Sequence, residues 1–117
     1  MDDSSDPRER SFFRIVRSNP TRDRDFRSNA ARGRQPRNPT REGLRRWDGL
    51  SAFTSFEAAL ANARIFSRLG KFIAELRIPE GGPITWEPHP GPDQEHVTLW
   101  GTVEEFQKAV IGVVQIR

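Results

Sequence analysis

The chain contains no cysteine, which excludes disulfides and thiolate chemistry. Its two histidines are His89 and His96. A zinc site would need carboxylates beside them, and no ligand spacing supports one, so no metal is expected. No apolar run approaches the ~20 residues that cross a bilayer. The N-terminal stretch MDDSSDPRER is acidic and polar, unlike a secretory signal, and a soluble bacterial protein of the cytoplasm is the expectation. Catalytic signatures are missing as well. The chain has no phosphate-cradling P-loop, no dinucleotide-binding glycine fingerprint and no HExxH zinc helix. It also has no GxSxG elbow that would make Ser51 a hydrolase nucleophile.

Lysine is scarce, and 17 of the 19 cationic side chains are arginine. Their distribution is uneven. Residues 1–46 hold 13 Arg against 7 acidic residues, whereas residues 47–117 hold 6 cations against 9 acids. Arginine keeps its charge at any working pH and grips phosphate with two parallel hydrogen bonds. A GC-rich genome, which favours arginine codons, is the competing explanation.

At 117 residues and 34% hydrophobic, the chain has material for one core. Residues 1–10 form a polar tail expected to be disordered, and residues 11–117 are expected to make a single α+β domain. The run SFFRIVRS is a short strand ended by Asn19–Pro20. An Arg-rich connection follows at 21–46, with a short helix near 22–31 and a helical turn after Thr40. Gly49 precedes a short strand, LSAF. Thr54 and Glu57 then form a capping box that starts a helix. Phe56, Ala59, Leu60, Ala63 and Phe66 give that helix a core stripe, and Gly70 stops it. KFIAELRI alternates as a half-buried strand, and ITWE and HVTLW are further strands. Thr102 and Glu105 make a second capping box, and VVQI closes the chain. Trp86 and Trp100 are read as core packing. Helices and strands mix without strict alternation, so the expected fold is a small mixed, split β-sheet with two main helices.

Three stretches together resemble the ADP-ribosyltransferase-like fold. FFRIV carries an arginine inside the opening strand, WDGLSAFTSFEAA ends a strand in Ser beside a helix, and KFIAELRIP follows as a strand ending in proline. The likeness spans roughly residues 11–117. It implies NAD as substrate, and a toxin or effector that modifies a cellular target. It also implies site residues: Arg14 as a clamp for the NAD phosphates, Ser51 as a hydroxyl and Phe53 as a ring beside the nicotinamide. Thr54 would sit at the helix N-terminus, where the dipole supports an anion.

Cleavage of the nicotinamide–ribose bond passes through an oxocarbenium-like state that a carboxylate stabilises. The family places that acid on a late strand. Here HVTLW contains none, so Glu104, just beyond it, and His96, which opens it, are the candidates. Each residue also has a plain structural reading: Arg14 as a salt-bridged strand residue, Ser51 as a turn hydroxyl and His96 as a surface side chain. The alternative function is a non-catalytic module that binds nucleic acid or a partner protein through the Arg-rich segment 22–46.

Overall fold

The computed structural model describes residues 9–31, 33 and 40–116. Most of the expected tail, and residues 32 and 34–39 of the Arg-rich connection, lie outside the described residues. Six strands form in chain order. They are β1 (Glu9–Val16), β2 (Leu50–Phe53), β3 (Phe72–Pro79), β4 (Thr85–Pro88), β5 (His96–Trp100) and β6 (Val110–Gln115). Three helices accompany them: α1 (Arg41–Trp47), α2 (Phe56–Ile65) and α3 (Val103–Ala109). The expected α+β class is what forms. Glu9 and Arg10 already belong to β1, so the first strand starts earlier than the polar composition implied.

The strand order is β4-β5-β2-β1-β3-β6, and every pairing is antiparallel. This refines the mixed, split sheet that the element order suggested. The sheet is hydrogen-bonded throughout, but its two halves meet narrowly. β1 runs beside β3 over its whole length, from Glu9 opposite Pro79 to Val16 opposite Phe72. β2 runs beside β5 from Leu50 opposite Leu99 to Phe53 opposite His96. Between β1 and β2 there is a single registered pair, Phe13 with Phe53.

Side-chain alternation along each strand gives the sheet two apolar faces. Phe12, Leu76, Ile78, Val97 and Leu99 belong to one cluster, closed by Phe26 and by Phe106 of α3. The rings of Phe26 and Phe106 stack with centroids 5.8 Å apart. Ile15, Phe53 and Ile73 belong to the other cluster, under Ala59 and Ala63 of α2. Two small residues one turn apart let that helix lie close on the sheet. Trp86 packs on Phe12 at 5.1 Å, as expected of a core residue. Trp100 instead lies under Arg45, whose guanidinium sits 4.1 Å above the ring, and its indole N–H donates to the Arg45 carbonyl.

Several local expectations change. Ser55, not Thr54, caps α2, its hydroxyl accepting from the Ala58 amide at 3.1 Å. Thr54 is held by Glu95 instead, amide to carbonyl at 2.9 Å and hydroxyl to carboxylate at 3.1 Å. The β2–β5 pairing thus carries one residue further and the helix starts later. α2 stops at Ile65, and a 3-10 turn at Ser67–Leu69 follows, leaving Phe66 55% exposed rather than in the core stripe. Gly70 then passes so close to the Val16 carbonyl that a β-carbon would overlap it. The segment expected as a helix at 22–31 holds only a 3-10 turn, Asp23–Phe26. There the Asp25 carboxylate takes the amides of Arg17 and Arg22, a local bonding pattern that competes with helix. The Thr102–Glu105 capping box forms as expected, with bonds of 3.1 and 2.8 Å.

Caps of this kind contribute ~1 kcal/mol. Ser55→Ala is therefore expected to lower unfolding free energy by ~1 kcal/mol in urea titration. Thr54→Ala, which removes a hydroxyl bonded to exposed Glu95, costs about 0.5 kcal/mol or less. Equal costs would argue against Ser55 as the cap.

Candidate anion-binding cleft

Past the Phe13–Phe53 pair, no registered pair joins the rest of β1 to the rest of β2. A cleft of about 770 Å³ opens there, between Arg14, Ile15 and Val16 of β1 with Arg17 just beyond, and Leu50, Ser51 and Phe53 of β2 with Gly49 just before. Its volume lies in the range of small-molecule sites. Arg14 reaches across the opening. Its Nη1 donates to the Ser51 carbonyl at 2.7 Å and its Nε to the Asp25 carbonyl at 2.8 Å. The side chain expected to clamp phosphate thus holds two backbone carbonyls, although it still lines the cleft.

Arg17, Arg24, Arg27 and Arg46 also line the cleft. Among its described lining residues Asp25 is the one carboxylate. Asp25 is 4% exposed, and its two oxygens accept the Arg17 and Arg22 amides, each at 2.9 Å. The described walls therefore carry an excess of positive charge, although Arg46 also pairs with Glu42 at 3.4 Å. Arg17 also donates to the Arg68 carbonyl at 3.1 Å, tying the turn that carries Phe66 and Leu69 to the cleft wall.

The β2–β5 register decides what faces this charge. Phe53 pairs with His96 and Ser51 with Thr98, so Ser51 and His96 are diagonal neighbours on one face. His96 Nε2 lies 3.1 Å from Ser51 Oγ. The His96 ring stacks on Phe53 at 5.1 Å and on His89 at 4.1 Å. His89 is fixed in turn, its Nδ1 3.0 Å from Thr98 Oγ1 and its amide donating to the His96 carbonyl.

Burial lowers the His96 pKa below its ordinary value, and His89 beside it adds to the effect while Asp93 opposes it. Burial also lowers that of His89, helped by Arg46. Both rings therefore favour the neutral form, in which one nitrogen can accept a proton.

Of the residues singled out by sequence, the fold brings Arg14, Ser51, Phe53 and His96 into this one cleft. Thr54 faces Glu95, away from the lining. Glu104 is exposed on the first turn of α3 and is not among the lining residues. His89 escaped the sequence reading. The signal was present in PHPGPDQEH, a Pro- and Gly-rich loop between two strands, which folds back to set His89 against His96. Among the described residues no three His, Asp or Glu side chains gather as a metal site, and no helix is long and apolar enough to cross a membrane.

Comparison with protein families, curated proteins and solved structures finds no match to this chain.

The depressed histidine pKa values have a signed consequence. The folded chain binds these protons less readily than the unfolded chain, whose histidines titrate near 6.5. Stability is therefore full above that value and falls as pH drops through it. Urea midpoints measured at pH 7.5 and pH 5.5 are expected to differ in that direction, and His89→Gln with His96→Gln should flatten the slope. An unchanged slope in the double variant would assign the pH dependence elsewhere.

Proposed function

We propose that this cleft binds NAD, and that the chain is an ADP-ribosyltransferase-like protein acting on the nicotinamide–ribose bond to modify a cellular target. The observation that carries the reading is the convergence of Ser51, Phe53 and His96 with Arg14, Arg17, Arg24, Arg27 and Arg46 on one cleft of about 770 Å³. A dinucleotide brings two phosphate charges and two planar rings. Guanidinium groups suit the phosphates through paired hydrogen bonds. Phe66, half exposed at the wall, and partly exposed Trp47 offer ring faces, which stack on planar groups.

Five described arginines line this concavity, which suits a compact anion, while Arg22, Arg41 and Arg45 of the Arg-rich segment are exposed outside the lining. Arg45, also from the Arg-rich segment, is committed to a bidentate pair with Glu87 at 3.0 and 2.8 Å. Within the cleft, Arg14 keeps Ser51 in place, the outer arginines hold phosphate, and His96 takes a proton. A toxin or effector modifying a cellular target is the biological setting proposed with this activity.

Isothermal calorimetry with NAD and with ADP-ribose tests the reading. Binding is expected for the wild type, weaker with added salt. Arg24→Ala and Arg46→Ala should each weaken it about tenfold, the loss of ~1.4 kcal/mol that fits a charged hydrogen bond. Absence of binding to both ligands would overturn the proposal. Salt-sensitive binding of a short single-stranded oligonucleotide, with none of NAD, would move the assignment to nucleic acid.

A further inference from the structure

We infer that Ser51 is itself a nucleophile in the cleft, with His96 as its base, and that it takes the ADP-ribosyl group from NAD as a covalent adduct. The inference rests on the NAD reading above. An oxocarbenium-like centre needs an electron-rich group close to the anomeric carbon, and glycosyl-transferring enzymes that retain configuration supply one as a nucleophile. Among the described residues that line the cleft, no carboxylate is placed to serve. Asp25 is buried with both oxygens committed to backbone amides, and Glu104 is exposed outside the lining residues.

Ser51 meets the requirement by geometry. Its Oγ is 3.1 Å from His96 Nε2, within reach for activation of a hydroxyl by a base. The stacks on Phe53 and His89 fix the plane of the His96 ring, and Arg14 fixes the Ser51 backbone through its carbonyl. Ser51 is exposed to the cleft, whereas the other cleft hydroxyl, Ser28, is 8% exposed and accepts the Ala31 amide at 3.0 Å. The neutral form favoured by His96 leaves a nitrogen able to receive the proton.

The step balances without a further reactant. The bond from Ser51 Oγ to C1′ of the nicotinamide ribose forms as the C1′–N bond breaks. Nicotinamide leaves as a neutral base with the bonding pair, and the hydroxyl proton passes to His96 Nε2. Water or a target nucleophile would then release the ADP-ribosyl group.

Intact-mass and peptide mass spectrometry test this after incubation with NAD and, separately, with a 2′-fluoro analogue of NAD that slows turnover. The expected result is a gain of one ADP-ribosyl group, or its fluoro counterpart, mapped to Ser51 within the tryptic peptide 47–64. It should be abolished by Ser51→Ala and slowed at least about 100-fold by His96→Gln. Calorimetry on the same samples separates the two readings. Wild-type protein that binds NAD yet gains no mass from either reagent, or whose modification persists in Ser51→Ala, overturns the nucleophile while NAD binding stands. Wild-type protein that binds neither NAD nor ADP-ribose overturns both.

Discussion

The guanidinium of Arg14 holds the two halves of this sheet in register. β1 and β2 are joined by one registered pair, and beyond it the Ser51 carbonyl takes a side-chain donor in place of a β1 amide. Arg14 donates to Ser51 on the far strand and to Asp25 in the following turn. A planar group with several N–H donors can satisfy both carbonyls at once, and a lysine could not hold the same fork. The cleft exists because a side chain, instead of backbone pairing, bridges this part of the sheet. Ser51 is fixed there because its own carbonyl is the bridge's landing point.

Charge at the cleft follows from the same turn. Asp25 folds its carboxylate back onto the amides of Arg17 and Arg22, so its negative charge is buried in local hydrogen bonds. The arginines nearby face a cavity whose one described carboxylate is engaged in this way. Arg17, Arg24 and Arg27 are solvent-exposed where they line it. Arg17 donates to the Arg68 carbonyl and Arg24 to the Ser18 hydroxyl, whereas Arg46 pairs with Glu42 at 3.4 Å.

The histidine pair depends on β5 and on the loop that precedes it. Register sets His96 across from Phe53 and diagonal to Ser51. The loop then returns His89 onto His96, anchored at Thr98. Burial lowers the pKa of both imidazoles, with Arg46 adding to the effect at His89 and His89 adding to it at His96. Burial and nearby positive charge therefore outweigh Asp93 and keep a proton acceptor beside the serine.

The sequence by itself determined the local elements whose signals are periodic or steric. Alternation fixed β3, the Thr102–Glu105 box fixed the start of α3, and an arginine inside FFRIV with Ser51 and Phe53 before a helix marked one wall of the cleft. Capping went to Ser55 instead of Thr54 because Glu95, 41 residues away, holds Thr54, and no local pattern reports such a partner. Phe66 left its stripe because the helix ends in a turn tied to β1 through Arg17. The role of Arg14 as a bridge, the meeting of His89, His96 and Ser51, and the exclusion of Glu104 all depend on which strands lie side by side. Strand neighbours here are far apart in the chain, and their order is set by how two apolar faces are covered at once by α2 and α3. That is a property of the whole packed sheet, so only the tertiary structure decided it.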